Sequence, residues 1–292
     1  MQTNVKFVNH ILRINLTTGE VKREEFSPED ARKYLGGAGT ALKLLYDEVP
    51  PSVDPLSPEN KLFFTAGPLN GTKIHGSGIV NVSGKSPLTG FLISAQANGF
   101  FGARLRFSGI ETLIIEGAAP EWSYVFIDDG KVEIRSAAHL VGKGTWETEK
   151  LLKEEVDRPR ASTACIGPAG ENLVRFACTM FDRGHAASTN GSGCAMGSKK
   201  LKGIVLSASY SAVDIYDPIL NTEIRKQMLE DGEASYIGKV TKVGGTHATW
   251  PTNYQMEVIP IKNGSTAVSP IIDQFYWENR ENIYERKPDP CW

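Results

Sequence analysis

The sequence predicts an α+β fold: a β-rich first domain over residues 1–212, followed by the beginning of a mostly helical domain over residues 213–292. Short apolar strands and a few helices fill the first domain without the regular alternation of a doubly wound sheet. The order of these elements occurs twice, which predicts two similar halves. From Tyr216 onward the pattern becomes helical, so the boundary is placed near residues 211–215.

A hairpin and two helices are predicted at the start of the chain. Apolar and polar residues alternate in ILRINL (11–16), TTGE turns, and VKREEF (21–26) returns along the first strand. Ser27 then begins a helix, since serine caps a helix, the following proline suits its first turn and the next residue is acidic. A second helix is expected over residues 40–49, after a glycine-rich break.

Apolar runs bounded by turn residues predict the remaining strands, which lie at 61–67, 78–84, 91–95, 111–117, 161–167, 173–179 and 203–208. A hairpin is expected over 122–136, because Asp-Gly at its centre is typical of a tight turn. Helices are predicted at 100–107 and, capped by Thr145, at 146–156. In the second domain the helical stretches are 218–240 and 269–284.

Two pairs of phrases carry the internal repeat. AGPLNG from Ala66 resembles IGPAGE from Ile166, and each directly follows an apolar strand. Further along, NGFFGARLRFSGIETLIIEG from Asn98 and NGSGCAMGSKKLKGIVLSA from Asn190 share Asn-Gly, a short basic helical segment, Gly-Ile and a strand. This predicts a duplication with approximate two-fold symmetry, a scaffold suited to a ligand that is itself two-fold.

Composition and charge exclude several classes of protein. The formal net charge of −2 over 292 residues, with no long basic run, argues against a nucleic-acid partner. No apolar stretch approaches the ~18 residues of a membrane span, and the N-terminus lacks the apolar core of a secretory signal. The sequence therefore predicts a cytoplasmic protein. Because the chain ends one residue after Cys291, we expect it to be a piece of a longer protein.

The glycine-rich stretch DRGHAASTNGSGCAMGSKK (182–200) allows two interpretations. A glycine loop leading into a helix can hold a phosphate through backbone N–H groups, or its glycines can allow close packing and positive φ. The stretch lacks the Gly-Lys-Ser/Thr order of a Walker A loop, and no Rossmann fingerprint occurs. The five histidines show no metal-ligand spacing, and only His185, within this stretch, is kept as a candidate. No C-x-x-C pair is present among the four cysteines.

Seven phrases occur in order along the chain: ILRINLTTGEV, YLGGAGTALKLL, VDPLSPENKLFFTAGPLNGT, GKSPLTGF, GFFGARLRFSGIETLIIEG, IGPAGENLVRFA and AMGSKKLKGI. They resemble the N-terminal domain of the aldehyde:ferredoxin oxidoreductase family, the tungsten or molybdenum bis-pterin enzymes. The resemblance covers about residues 8–210. GGTHATW and VIPIKN resemble the start of the family's helical domains, and PDPCW the lead-in to its C-x-x-C-x-x-x-C cluster motif.

The resemblance implies two intertwined halves that form a base for two pterins. A magnesium ion would link the pterin phosphates and be held by one backbone carbonyl from each half, those of Gln96 and Ala186. Cys291 would be the first ligand of a [4Fe–4S] cluster, and a single cysteine cannot hold one. The residues expected to lie against pterin or phosphate are Asn98, Gly99, Arg183, His185 and Gly191.

The resemblance also implies that the full-length protein oxidises small aldehydes to carboxylic acids and passes electrons to ferredoxin or another iron–sulfur protein. A homo-oligomer is one expected state. The family's proton-transfer residues come later, so this chain would carry the cofactor base and no catalytic residue. Two alternatives stay open. One is a non-catalytic, truncated paralogue that only binds pterin phosphate. The other is the catalytic subunit of an aryl-thioester ring reductase, because Ile79 and Thr189 stand where the family often has arginine.

Overall fold

The computed structural model describes residues 9–209, 212–280 and 283. The chain divides into two compact units, with the boundary between Tyr216 and Asp217. Every strand found among these residues lies in the first unit. The second unit consists of helices and turns, as the change in sequence pattern predicts.

The first half of the first unit forms one six-stranded sheet. Its strands are β1 (Asn9–Asn15), β2 (Val21–Phe26), β3 (Leu62–Thr65), β4 (Val80–Lys85), β5 (Leu92–Ala97) and β6 (Thr112–Glu116). Their order is β2-β1-β6-β3-β4-β5. Only β1 and β6 pair in parallel, and the other neighbours are antiparallel. The edge strands of this sheet are therefore β2 and β5.

The second half repeats this arrangement. Its strands are β7 (Ser123–Asp128), β8 (Lys131–Ser136), β9 (Ser162–Cys165), β10 (Thr179–Phe181), β11 (His185–Ala187) and β12 (Leu201–Ser207). Starting from the hairpin edge, their order is β8-β7-β12-β9-β10-β11, with only β7 and β12 parallel. At each position in this order, the strand number is six higher than that of the corresponding strand in the first sheet. The predicted pair of β-rich pseudo-repeats is confirmed.

Short helices interlock the two halves. The first unit contains α1 (Pro28–Tyr34), α2 (Gly37–Glu48), α3 (Phe101–Phe107), α4 (Thr145–Glu155), α5 (Pro168–Glu171) and α6 (Ser192–Ser198). α3 and α6 occupy equivalent positions, directly before β6 and β12. α3 contacts β9 and β12 of the other half, and α6 contacts β4. Each sheet is built from one continuous part of the chain, so the halves are joined by these helices and not by exchanged strands.

The main core lies between the two sheets. Phe64 of β3, Phe101 of α3 and Phe181 of β10 are fully buried, and their ring centroids are 5.0–6.4 Å apart. Tilted and edge-to-face rings at such distances attract one another in addition to burying apolar area. Because the three rings come from both halves, neither half can complete this core alone.

The second unit contains α7 (Pro218–Ala234), α8 (Tyr236–Gly244) and α9 (Trp250–Gln255). The sequence predicts one helical stretch over 218–240, but the chain breaks at Ser235, whose hydroxyl accepts the Gly238 N–H and begins a new helix. Of the helical stretch predicted at 269–284, the described part forms only two short 3₁₀ turns. No helix in the described part of the chain is long and apolar enough to cross a membrane.

Two local predictions in the first unit are wrong. Thr145 does not cap α4: Gly144 precedes the helix, and Thr145 is its first residue. The strand predicted at 173–179 begins only at Thr179. Its earlier backbone groups bond outside a sheet, because Val174 N–H bonds Ala169 O of α5 and Ala177 O accepts from Gly193 N–H of α6. The short elements α5 and β11 have no clear signal in the sequence, since each has four residues or fewer.

Candidate functional site

The outer edges of the two sheets, β5 and β11, lie side by side. We call this pair of edge strands the seam. Thr189 Oγ1, just beyond β11, lies 3.5 Å from Ser94 O. Gly99, just beyond β5, packs against His185, since a Cβ atom there would lie 2.8 Å from the His185 Cδ2 atom. The two contacts show that β5 and β11 run in opposite directions, with Gln96 and Ala186 between them.

The carbonyl group of Gln96 points into the seam. Its partner on β4 is Asn81, whose carbonyl accepts a hydrogen bond from Thr65 Oγ1 of β3 at 3.3 Å. The backbone of Asn81 therefore faces β3 and not β5. In an antiparallel ladder such a pair is non-hydrogen-bonded, so the N–H and C=O groups of Gln96 point away from β4. The carbonyl of Ser94, two residues earlier, points the same way towards Thr189.

The carbonyl group of Ala186 points into the seam from the other side. Ser192 Oγ donates to Ala187 O at 3.0 Å and accepts from Thr179 N–H of β10 at 3.2 Å. The carbonyl of Ala187 thus faces β10. Because backbone carbonyls alternate along a strand, that of Ala186 faces β5. Two main-chain oxygens, one from each half, therefore point towards the space between β5 and β11, which we call the gap.

The seam has one apolar and one polar face. Ile93, Ala95 and Ala97 point into the main core, as does Ala187. The side chains in between are polar and exposed: Ser94, Gln96 and Asn98. Ala186 is half-buried on β11. Carbonyl oxygens suit hard cations such as Mg²⁺, so the main chain at the seam offers two donor atoms of the kind required by the magnesium ion that the family resemblance implies.

The turn between β10 and β11 is strained and firmly held beside the seam. Asp182 and Arg183 have φ values of 40° and 69°, in the left-handed region that non-glycine residues seldom adopt. The N–H group of Arg183 donates to Glu149 Oε2 at 2.6 Å, and its carbonyl accepts from Trp146 Nε1 at 3.0 Å. α4 therefore fixes the backbone of Arg183, while the side chain of Arg183 stays exposed next to His185.

The carboxylate of Asp182 connects this turn to both halves. It accepts hydrogen bonds from the Phe100 N–H at 2.9 Å, the Thr163 N–H at 3.0 Å and the Ser162 hydroxyl at 2.7 Å. Burial raises the pKa of Asp182, and the three hydrogen bonds oppose that shift. Asp182, Glu149 and Trp146 were not predicted as site residues from the sequence. The only sequence signal is that Asp182 begins the glycine-rich stretch.

The glycines of the two Asn-Gly loops serve close packing. A Cβ atom at Gly191 would lie 2.1 Å from the carbonyl oxygen of Arg175. One N–H group in the first turn of each following helix is also bonded inside the protein: Gly102 N–H bonds Gly78 O at 3.2 Å, and Gly193 N–H bonds Ala177 O at 2.9 Å. These N–H groups do not face a ligand. Of the two interpretations of the stretch 182–200, close packing accounts for its Asn-Gly step.

No iron–sulfur site is formed by the described residues. Cys291 lies outside them. Cys165 and Cys194 are buried, Cys178 is half-buried, and burial raises the pKa of Cys165 to about 12. Among the residues that the structure describes, no three His, Cys, Asp or Glu side chains are grouped as metal ligands would be. The [4Fe–4S] cluster therefore does not fit this part of the chain.

Comparison with known proteins gives consistent similarities. The family profile "Aldehyde ferredoxin oxidoreductase, N-terminal domain" matches residues 11–208. The chain is 41% identical over 287 residues to a tungsten-containing aldehyde ferredoxin oxidoreductase of Pyrococcus furiosus, covering 96% of this chain and 46% of that protein. It is 50% identical over 198 residues to the protein of the same name from Thermococcus kodakarensis, covering 68% and 33%. The chain thus spans about half the length, or less, of the curated relatives it matches.

A solved structure shares the fold. The active-site complex BamBC of benzoyl coenzyme A reductase, determined with 1,5-dienoyl-CoA, superimposes with a TM-score of 0.75 at 38% sequence identity. The match covers 80% of this chain and 35% of that chain. The α+β architecture described above is therefore shared with a solved protein that is named for a different substrate from the aldehyde oxidoreductases.

Proposed function

The chain belongs to the aldehyde ferredoxin oxidoreductase family, a family of oxidoreductases, and from that premise we propose that it is the cofactor base of a tungsten- or molybdenum-pterin oxidoreductase. The observation that carries the proposal is the seam. There, two equivalent halves aim one backbone carbonyl each, from Gln96 and Ala186, at a common gap between exposed polar side chains.

This chain would hold and orient the cofactor. Mg²⁺ keeps several water ligands and prefers phosphate and other oxygen ligands, so two carbonyl oxygens at the seam leave room for pterin phosphates. Because the backbone supplies the ligand atoms, the side chain at position 96 can vary. Asn98, His185 and the exposed Arg183 lie beside the gap and would contact the phosphates or the pterin rings. When bound, the metal and its dithiolene sulfurs supply the redox chemistry.

For the whole protein we propose oxidation of an aldehyde to a carboxylic acid, with electrons passed to ferredoxin or another iron–sulfur protein. The names of the relatives in Pyrococcus furiosus and Thermococcus kodakarensis support this reaction. A [4Fe–4S] cluster that includes Cys291, a cytoplasmic location and a homo-oligomeric state remain predictions from the sequence. So does the choice between tungsten and molybdenum.

A second candidate is the catalytic subunit of a ring reductase that acts on aryl thioesters. The specific observation in its favour is the TM-score of 0.75 to the benzoyl coenzyme A reductase complex. At the seam, Thr189 carries no charge where the family often has arginine. Assays of the full-length protein with aldehydes and with aryl-CoA thioesters separate the two reactions. A third candidate, a paralogue that only binds pterin phosphate, predicts cofactor content without turnover of either substrate.

Metal analysis tests the proposal directly. Full-length protein grown with tungstate and molybdate is expected to contain one of these metals together with pterin and magnesium. A leucine at Ala186 would place a branched side chain beside the gap, so Ala186→Leu is expected to lower the content of all three. Ala138→Leu is the matched control, because Ala138 is exposed and lies on the turn after β8. Absence of both metals and of pterin from the wild-type protein would refute the proposal.

A further inference from the structure

The hairpin turn of each half holds the Asn-Gly loop of the other half. Ser86 is the first residue after β4, and its hydroxyl donates to the carbonyl of Asn190 at 2.8 Å. Asp182 is the first residue after β10, and its carboxylate accepts the N–H of Phe100 at 2.9 Å. Since β4 and β10 are equivalent strands, these two contacts are related by the internal symmetry. We call them the reciprocal clasps.

The two clasps differ in strength. Ser86 makes a neutral hydrogen bond to a carbonyl group. Asp182 offers a carboxylate, and hydrogen bonds to an ionised acceptor are roughly twice as strong as neutral ones. The other oxygen of the Asp182 carboxylate accepts the N–H of Thr163 at 3.0 Å, and the Ser162 hydroxyl lies 2.7 Å from both oxygens. The Asp182 clasp thus fixes the first half's loop to the start of β9.

The Asp182 clasp acts on the backbone that leaves the seam. Phe100 directly follows Gly99, so the carboxylate fixes the peptide group between them. Gly99 has φ of +101°, and a Cβ atom there would lie 3.0 Å from Asp182 Oδ2. The carboxylate therefore packs against the α-carbon of Gly99 as well. Only Asn98 and Ala97 separate this fixed point from the seam carbonyl of Gln96.

The turn that carries Asp182 has a strained backbone. Asp182 and Arg183 are consecutive non-glycine residues with positive φ, and α4 holds the backbone of Arg183 at both its N–H and its carbonyl. Strained conformations persist only where the surroundings fix them, and they concentrate at functional sites. Aspartate tolerates this conformation as asparagine does, so the strain falls mainly on Arg183, where a turn needed only to connect β10 and β11 could use glycine.

We propose that Asp182 is a positioning residue for the cofactor site, which rests on the function proposed above. From the second half it fixes the Asn98-Gly99 loop of the first half, and so sets where the Gln96 carbonyl stands opposite that of Ala186. Ser86 makes the weaker, symmetric contact to the second half's loop. Neither residue touches the gap itself.

The two acceptor oxygens make Asp182→Asn an informative variant. Asparagine has almost the same shape but only one acceptor oxygen, while the N–H groups of Phe100 and Thr163 each need one. The hydroxyl of Ser162 can reverse its role, but one N–H group must face the new NH₂ group. Phe100 then either loses its acceptor or keeps a neutral amide oxygen, which binds an N–H group more weakly than a carboxylate does. Exchange of the amide at Phe100 with solvent deuterium is therefore expected to become about threefold to tenfold faster.

The experiment uses the full-length protein and has two readouts. The first is hydrogen exchange of peptides covering residues 98–102, measured by mass spectrometry. The second is the content of tungsten, molybdenum and pterin per chain. For Asp182→Asn we expect the faster exchange and a loss of cofactor content of about threefold or more. Ser86→Ala is expected to change exchange of residues 98–102 by less than about twofold. Ser27→Ala removes the hydroxyl that accepts Asp30 N–H at the start of α1 and is the control for loss of a hydrogen bond elsewhere. It should leave both readouts at wild-type values.

The outcomes are distinct. Unchanged exchange at residues 98–102 in Asp182→Asn, or faster exchange with wild-type cofactor content, overturns the positioning role. If Asp182→Asn does not fold, Ser162→Ala replaces it, because it removes one donor to the carboxylate and leaves both N–H contacts. Exchange at residues 98–102 that is faster by about threefold, together with reduced cofactor content, supports the positioning role. Wild-type values of both overturn it. If the wild-type protein carries no metal and no pterin, the proposed function fails. The exchange data then still show whether Asp182 holds the Phe100 N–H group.

Discussion

A methyl group at Gly99 should disrupt the contact across the seam. The backbone there has φ of +101°, and a Cβ atom would lie 2.8 Å from His185 Cδ2 and 3.0 Å from Asp182 Oδ2. A non-glycine residue in this conformation costs about 1–3 kcal/mol, and crowding the two neighbours adds about 1 kcal/mol. The lower entropy of the unfolded alanine chain offsets roughly 0.4–1 kcal/mol. We therefore expect Gly99→Ala to lower the free energy of unfolding by about 2–3 kcal/mol.

A matched control separates backbone strain from the contact. Gly19 also has positive φ, +75°, but nothing lies within 4 Å of its Cβ position. Gly19→Ala should therefore cost only about 1 kcal/mol. Denaturant unfolding of both variants measures the difference, which in thermal unfolding corresponds to about 4 °C for a unit of this size. Equal losses in the two variants would show that Gly99 does not pack against His185 and Asp182, and the geometry of the seam would then be wrong.

Three further predictions concern the core and its buried groups. Phe181→Ala should lower the free energy of unfolding by about 3–5 kcal/mol, because the ring is fully buried between the sheets. Burial lowers the pKa of Lys199 to about 8 from 10.5 in the unfolded chain. Between these pH values the unfolded state binds more protons, so the stability of the wild-type protein relative to Lys199→Met should rise by about 2 kcal/mol from pH 8 to 10.5. Native Cys165, with a pKa of about 12, should react with iodoacetamide about 100-fold more slowly than the half-buried Cys178.

Each of these three has a clear contrary result. A loss below about 1 kcal/mol in Phe181→Ala, measured by denaturant unfolding, would mean that the two sheets do not share one core. A stability difference between wild type and Lys199→Met that stays constant with pH would show that burial does not lower the pKa of Lys199. Equal alkylation of Cys165 and Cys178, mapped by peptide mass, would show that β9 is exposed. Exposed Phe91→Ala is the control for the first variant and should change stability by less than about 0.5 kcal/mol.

Much of the local structure follows from the sequence. The hairpins β1–β2 and β7–β8 follow from alternation and turn residues, and Ser27 caps α1 as predicted, accepting the Asp30 N–H. The repeated order of phrases predicts two equivalent halves, and the two sheets have equivalent strand orders. These features depend on residues close together along the chain, whose side chains set the backbone locally. Where local signals were weak, as for the three-residue strand β11, the prediction failed.

The candidate site could be predicted only in part. Gln96 and Ala186 were selected through the family resemblance, and His185 was selected for its place in the glycine-rich stretch. The structure brings all three to one seam. Asp182 was not selected, because its role depends on Phe100, 82 residues earlier in the chain. Nothing in the sequence around Asp182 or Phe100 indicates that the two residues are in contact.

The sequence by itself determined most of the strands, the hairpin turns and the duplication, since these depend on side-chain pattern and turn chemistry. Only the tertiary structure decided that two sheet edges meet, that their carbonyl groups face one another and that each half's hairpin holds the other's loop. The physical reason is that the atoms aimed at the gap are main-chain oxygens, which every residue possesses. Their direction is set by which strand pairs with which neighbour, and that pairing is a property of the assembled fold.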